Sequence, residues 1–253
     1  MSLDAEPVRS RQIEFLPWDT GHFGLRVGRL TVSCSDLASV ESQLKSARDE
    51  GYELLYLIGP SEFILPRTLA QEYRASLVDR KTIYRARLHP SQRQLRQGVT
   101  LEEYPEGPAS PDLIELGTIA GRFSRFFADP RVPRTQAEQL YATWVDKSAR
   151  RVLADCVLVA KVSELPTRLA GMITLSVGEA LGRIELLAVC EDYRGRGVGK
   201  ALVLGAHDWM LSRRVEVAEV VTQAANIAAN RLYTRCGYAI SDVRNVYHCW
   251  LAK

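Results

Sequence analysis

The stretch Ile184-Glu185-Leu186-Leu187-Ala188-Val189-Cys190-Glu191-Asp192-Tyr193-Arg194-Gly195-Arg196-Gly197-Val198-Gly199-Lys200 constrains this chain more than any other. An apolar, strand-like run enters three alternating glycines. A helix follows, with Val198, Ala201, Leu202, Gly205 and Trp209 on one face. Strand, glycine turn and helix start, in that order, make a cradle for an anion: glycine lets the backbone turn tightly and come close, and the first amide N–H groups and the helix dipole attract negative charge. Arg194, Arg196 and Lys200 add positive charge at the helix end that the dipole does not favour for cations, and a bound anion explains them. Two nucleotide loops are excluded by spacing. The third glycine comes one residue too early for a dinucleotide fingerprint, and the next strand ends at Thr222-Gln223 with no acid. A Walker loop needs glycine at 194 and Ser or Thr after Lys200, where the chain has Arg194 and Ala201.

A second ordered stretch, Asn226-Ile227-Ala228-Ala229-Asn230-Arg231-Leu232-Tyr233-Thr234-Arg235-Cys236-Gly237-Tyr238, reads as a short helix. Ala225, Ala228, Ala229 and Leu232 form its apolar stripe, Gly237 ends it, and Asn226, Asn230 and Tyr233 align at i, i+4 and i+7. A tyrosine in this position reads either as a packing aromatic or as a proton donor.

The first stretch resembles the acetyl-CoA loop of the GNAT acyltransferase superfamily, Gln/Arg-x-x-Gly-x-Gly/Ala, and the second resembles that superfamily's Asn-x-x-Ala-x-x-x-Tyr-x-x-x-Gly-Phe/Tyr helix. The resemblance implies that the amides of Arg194, Gly195, Arg196, Gly197, Val198, Gly199 and Lys200 hold the coenzyme pyrophosphate, that Leu187, Ala188 and Val189 pair with its pantetheine arm, and that Asn226 and Tyr233 face it. It also implies acetyl-CoA as cosubstrate, with no metal. The chemistry suits Tyr233 as general acid: a phenol of pKa about 10 stays protonated at neutral pH and donates to a leaving thiolate of pKa roughly 8.5. Glu185, on the strand beside the expected thioester, is the candidate general base, although strand alternation leaves open that it faces solvent or Arg183. A backbone N–H of the same strand would polarise the thioester carbonyl.

Strands first joined by short turns and later separated by helices indicate an α+β, mixed α/β architecture. Residues 96–253 are long enough for a GNAT catalytic domain, and residues 1–95 read as a smaller N-terminal α/β domain that contributes to acceptor choice. Breaker residues His89-Pro90-Ser91 and a polar Gln/Arg stretch mark the cut. Within the superfamily, Leu16-Pro17-Trp18-Asp19-Thr20-Gly21-His22-Phe23-Gly24, Arg122-Phe123-Ser124-Arg125-Phe126-Phe127, Tyr141-Ala142-Thr143-Trp144-Val145 and Tyr247-His248-Cys249-Trp250-Leu251 are similar to the acetyltransferases that N-acetylate a dTDP-linked 4-amino-4,6-dideoxygalactose. The acceptor implied is a nucleotide-linked amino sugar, attacked directly. Arg122, Arg125, Arg131 and Arg134, beside Phe123, Phe126 and Phe127, would suit its diphosphate. An amino acid, peptide or polyamine acceptor, and a non-catalytic acyl-CoA-binding module, remain as alternatives.

Composition bears on partners. Thirty-three Lys and Arg against thirty Asp and Glu leave +3, which argues for neither nucleic acid nor a membrane surface. No apolar run approaches the roughly 18 residues of a membrane span, and Asp4, Glu6, Arg9 and Arg11 break any leader-like start. The five cysteines, Cys34, Cys156, Cys190, Cys236 and Cys249, lack metal or disulfide spacing and read as reduced thiols of a cytoplasmic protein. Neither His207 nor His248 has neighbours at metal spacing. Oligomeric state stays open between monomer and homodimer.

Overall fold

The computed structural model describes residues 13–33, 37–89, 98–163 and 168–252, so Cys34 and the expected cut between 95 and 96 lie outside the described residues. In chain order the elements are β1 (Glu14–Phe15), α1 (Pro17–Phe23), β2 (Val27–Thr31), α2 (Leu37–Asp49), β3 (Leu54–Pro60), α3 (Arg67–Glu72) and β4 (Ala75–Arg87). Then come β5 (Val99–Glu103), α4 (Pro111–Gly121), α5 (Arg125–Ala128), α6 (Arg134–Ala149), β6 (Cys156–Val162), β7 (Gly171–Val177) and β8 (Gly182–Val189). A single 3-10 turn at Glu191–Tyr193 leads to α7 (Val198–Ser212), β9 (Val217–Gln223), α8 (Ile227–Arg235) and β10 (Ala239–Trp250). Helices on a mixed parallel and antiparallel sheet make this a mixed α/β fold, as the sequence indicates.

The chain divides into two compact units. The first takes the described residues up to Lys81, Ser124–Gln136, and the chain from Val243. Its strand order is β1-β2-β3-β10, with β2 parallel and β10 antiparallel to β3. β3 carries an unbroken apolar run because it lies between two strands and is buried on both faces. Leu44 of α2 and Leu69 of α3 share one core with Leu55 and Leu57 of β3 and with Tyr247 and Cys249 of β10. The cut expected between 95 and 96 differs from this division. Residues Arg244–Trp250 of β10 pair with Leu54–Pro60, so the C-terminal strand belongs with the N-terminal unit.

The second unit comprises the described residues of Thr82–Phe123 and Ala137–Asp242. Its strands run β9-β8-β7-β6-β5; β8 and β9 are parallel and the other pairs antiparallel. α7 packs along β5 to β8, and α4 packs on β7 and β8. α4 begins with Ser110, whose hydroxyl accepts the Leu113 N–H at 3.3 Å, and with Pro111 at its first position.

Among the described residues Cys156, Cys190 and Cys249 are buried and Cys236 is half-buried, all as free thiols. Burial pushes the Cys156 and Cys249 thiols up to about 12, where they are inert. No helix among the described residues is long and apolar enough to cross a membrane.

Candidate active site

The site is built where two parallel strands part. β8 and β9 pair only through Gly182↔Ala218, Arg183↔Glu219 and Ile184↔Val220, yet β8 runs on to Val189 and β9 to Gln223. Beyond Ile184, therefore, the β9-facing edge of β8 has no rung to β9, while its other edge stays paired with β7 as far as Gly171↔Val189. Leu187, Ala188 and Val189 lie on this open stretch. An edge of unpaired amides accepts an extended, amide-bearing chain by strand addition.

Glu185 sits where the β7–β8 register slips. Thr174 pairs with Leu186 but Leu175 pairs with Ile184, so Glu185 is the extra residue of a bulge. The bulge is held by Thr174, whose Oγ1 accepts the Leu186 N–H at 3.0 Å. Bulges re-aim a side chain, and this one leaves Glu185 half-buried with its Oε1 accepting from the Ser176 hydroxyl at 2.7 Å. Of the orientations that alternation left open, neither full solvent nor a hydrogen bond to Arg183 is found. Burial raises the Glu185 pKa, and the Ser176 hydrogen bond and Arg183 charge oppose the rise without cancelling it. A carboxylate whose proton affinity is raised in this way is a better base.

The glycine loop follows β8 directly. Gly195 (φ 73°) and Gly197 (φ 86°) take left-handed conformations that side chains strain to adopt, and Gly197 opens α7 with no side-chain cap. The first α7 amide bonded inward is that of Ala201, to the Gly197 carbonyl. Those of Val198, Gly199 and Lys200 have no carbonyl one turn back to bond. Val198 is buried and anchors the helix start, whereas Arg194, Arg196 and Lys200 are exposed. Arg194 also reaches back, its Nε donating to the Val189 carbonyl at 3.3 Å. Uncapped amides, permissive glycines and exposed cations together fit a pyrophosphate.

α8 is locked beside this loop. A Cβ built on Gly199 would lie 3.2 Å from Leu232 Cδ2, so the two helices approach at van der Waals contact there. Asn226 caps α8, its Oδ1 accepting the Ala229 N–H at 3.2 Å, and thus has a structural task that the aligned spacing did not reveal. Asn230 binds the end of β9 through the Gln223 carbonyl at 2.9 Å and accepts the Tyr84 hydroxyl at 2.9 Å. Tyr233 is 4% exposed and packs between Tyr84 (ring centroids 6.1 Å apart) and Tyr238 (5.7 Å). Tyr238 is itself hydrogen-bonded to His207 Nε2 at 3.0 Å. Burial raises the Tyr233 pKa, so the phenol holds its proton throughout the neutral range. Burial also lowers His207 to about 4, leaving it neutral.

Tyr233 and Glu185 are not hydrogen-bonded to each other. Each is held by its own neighbours: Tyr233 by an aromatic cage and Glu185 by Ser176. Sequence reasoning missed Ser176, Tyr84 and His207. Only the Gly237-Tyr238 ending of the second motif pointed toward the cage. Of the expected arginine cluster, Arg131 is held by Asp129 (Nε to Oδ1, 2.9 Å) and by the Arg74 carbonyl, and Arg134 lies near the Phe127 ring. Arg122 lies in the second unit, 3.9 Å from Glu191. Among the described residues no group of three or more His, Cys, Asp or Glu side chains is placed to hold a metal ion.

Residues 122–238 match the Acetyltransferase (GNAT) family. This match covers a little under half of the chain. The chain is 36% identical over 76 residues to a streptothricin acetyltransferase of Escherichia coli, an alignment covering 30% of this chain and 44% of that one. It is 30% identical over 128 residues to the dTDP-fucosamine acetyltransferase of Escherichia coli O6:H1, covering 50% and 53%. The matches thus span about half the length of these relatives. Among solved structures, a GCN5-related N-acetyltransferase from Sphaerobacter thermophilus superposes with a TM-score of 0.58 at 17% identity, over 89% of this chain and 74% of that one, which shows the fold.

Proposed function

We propose that this GNAT protein transfers acetyl from acetyl-CoA to the amino group of a nucleotide-linked amino sugar, by direct attack and without a covalent enzyme intermediate. The observation that carries the coenzyme half is the open edge of β8 running straight into the uncapped glycine loop. Loop amides from Gly195 to Lys200, with Arg194 and Arg196, would hold the pyrophosphate. Amides of Leu187 to Val189 would hold the pantetheine arm and polarise the thioester carbonyl. Acetyl-CoA supplies an activated acetyl group and a thiolate leaving group. Glu185 takes the proton from the attacking amine, and Tyr233 donates its own to the departing sulfur. The similarity to a dTDP-fucosamine acetyltransferase supports a sugar acceptor, with a dTDP-linked 4-amino sugar as first choice.

The similarity to a streptothricin acetyltransferase favours a second reading, an amine that carries no nucleotide. Thiol release from acetyl-CoA separates the readings. Release should depend on a dTDP-amino sugar, and a protein that responds instead to streptothricin, an amino acid or a polyamine refutes the sugar acceptor. Tight acetyl-CoA binding without release in the presence of any amine would make the protein a binding module.

A further inference from the structure

A row of polar side chains crosses the sheet of the second unit next to Glu185. Arg183 of β8 pairs in register with Ser176 of β7 on one side and with Glu219 of β9 on the other, so the three side chains share one face. Ser176 donates to Glu185 Oε1 at 2.7 Å. Arg183 and Glu185 are alternate residues of β8, both half-buried, and both border this serine. Glu219 is 4% exposed. Arg85 of β4 holds it, with Nε and Nη2 each 2.8 Å from Glu219 Oε2. Arg183 does not: its Nε stands 3.6 Å from Glu219 Oε1 and is buried without a hydrogen-bond partner.

Charge therefore alternates from Arg85 through Glu219 and Arg183 to Glu185. Because Arg85 already satisfies the buried Glu219 carboxylate, Arg183 is not needed to keep it folded inside. The other elements packed on β8 bring no further charge to this row. From α4, Asp112 accepts the Leu169 N–H at 3.4 Å and Glu115 pairs with Arg168 at 3.5 Å. α7 meets the opposite face of β8, where a side chain at Gly182 would meet Met210. Burial is the main cause of the raised Glu185 pKa; the Ser176 hydrogen bond and then Arg183 oppose it, and Glu219 adds to it. Burial alone drives a carboxyl toward its protonated, inactive form, whereas an unopposed guanidinium holds it ionised but weakens it as a base.

Taking Glu185 as the base proposed above, we infer that Arg183 and Glu219 are positioning residues that act through it. The guanidinium keeps the Glu185 carboxylate ionised, and Glu219 offsets enough of that positive charge to keep the carboxylate basic.

The test follows Glu185 directly, by NMR titration of the full-length protein labelled at glutamate side-chain carboxyl carbons, its resonance being the one missing from Glu185→Gln. The same variants are assayed for the pH dependence of kcat/KM in thiol release from acetyl-CoA with a dTDP-amino sugar. Glu219→Gln should lower the Glu185 titration midpoint by about 1 pH unit and Arg183→Met should raise it by a similar amount, with Arg183→Lys leaving it in place. Should Glu219→Gln prove unstable, the same fall is read from Arg183→Met/Glu219→Gln against Arg183→Met. A midpoint that stays put in Glu219→Gln and Arg183→Met, that moves the same way in both, or that moves as far in Arg183→Lys as in Arg183→Met, overturns the pair. Midpoints that move while the acid limb of kcat/KM does not follow would keep the pair and remove Glu185 as the base. A limb abolished by Glu185→Gln, with unmoved midpoints in the other variants, does the reverse.

Discussion

The proposed mechanism gives Tyr233 and Glu185 opposite proton tasks, and the two side chains sit in different environments. Tyr233 is caged by aromatic surface, and burial strengthens its hold on its proton. Tyr233→Phe should lower kcat by about a hundredfold, in the range of general acid contributions, while leaving the KM for acetyl-CoA near its original value. Steady-state kinetics with both substrates varied decides this, and unchanged turnover would return Tyr233 to a packing role. For Glu185 the argument runs through Ser176. The hydroxyl lowers the carboxyl's pKa by bonding its charged form, so its loss lets burial raise that pKa further. A base must be deprotonated to act, so Ser176→Ala should move the acid limb of the kcat/KM profile to higher pH, and Glu185→Gln should abolish that limb. A limb that stays in place in both variants would assign proton removal to another group. Motif spacing pointed to Tyr233, and its place on the strand before the glycine loop pointed to Glu185. Neither signal could show Ser176, which meets Glu185 because β7 folds back on β8 with a one-residue slip.

At the scale of elements, the glycine loop does two things at once: it ends β8 and starts α7 without a side-chain cap. Gly197→Glu would place a side chain at φ 86° and a negative charge over uncapped amides. Coenzyme A affinity should fall by at least a hundredfold with the fold retained, as circular dichroism and calorimetry would show; retained affinity would refute the cradle. Elements with a strong internal pattern were legible: β3 through its apolar run, α7 through its apolar face, β8 through the apolar run that enters the glycine turn. α1 and α5 were not, because seven and four residues are too few to display a helical period. β4 begins at Ala75 and not, as the sequence suggests, at Thr82, because Asp79, Arg80 and Lys81 mask the strand signal. Of the four arginines expected to bind an anion near Phe126, Arg131 is instead held by Asp129.

For the whole molecule, chain order and spatial order part company. Asp129 shows how: it accepts His248 Nδ1, Trp250 Nε1 and the Arg131 guanidinium, tying the 124–136 segment to β10 inside the first unit. Those donors hold the Asp129 carboxyl well below its usual range despite its burial, and burial lowers His248 to about 4. The unfolded chain protonates this imidazole near 6.5, so the stability it confers is complete above that pH and is lost as pH falls toward 4. His207, buried with no charged partner, behaves alike and contributes on the order of 3 kcal/mol over the same interval. Denaturant unfolding between pH 7 and 4 should show this decline, with a shallower slope in His207→Gln. The motifs pointed to the strand, glycine loop and helix of the candidate site, but a linear reading cannot see β10 return to pair with β3. β10 uses β3 as its partner from Arg244↔Pro60 to Trp250↔Leu54, and Val246, His248 and Cys249 are wholly or almost wholly buried there. A fragment of residues 96–253 therefore lacks the strand that covers β10, and it leaves an unpaired apolar edge of the kind that drives aggregation. Expressed alone it should be insoluble or bind acetyl-CoA only weakly, and co-expression with residues 1–95 should restore a soluble complex. A fragment that folds and binds acetyl-CoA as tightly as the full chain would establish the simpler two-block organisation and confine β10's pairing to a dispensable role.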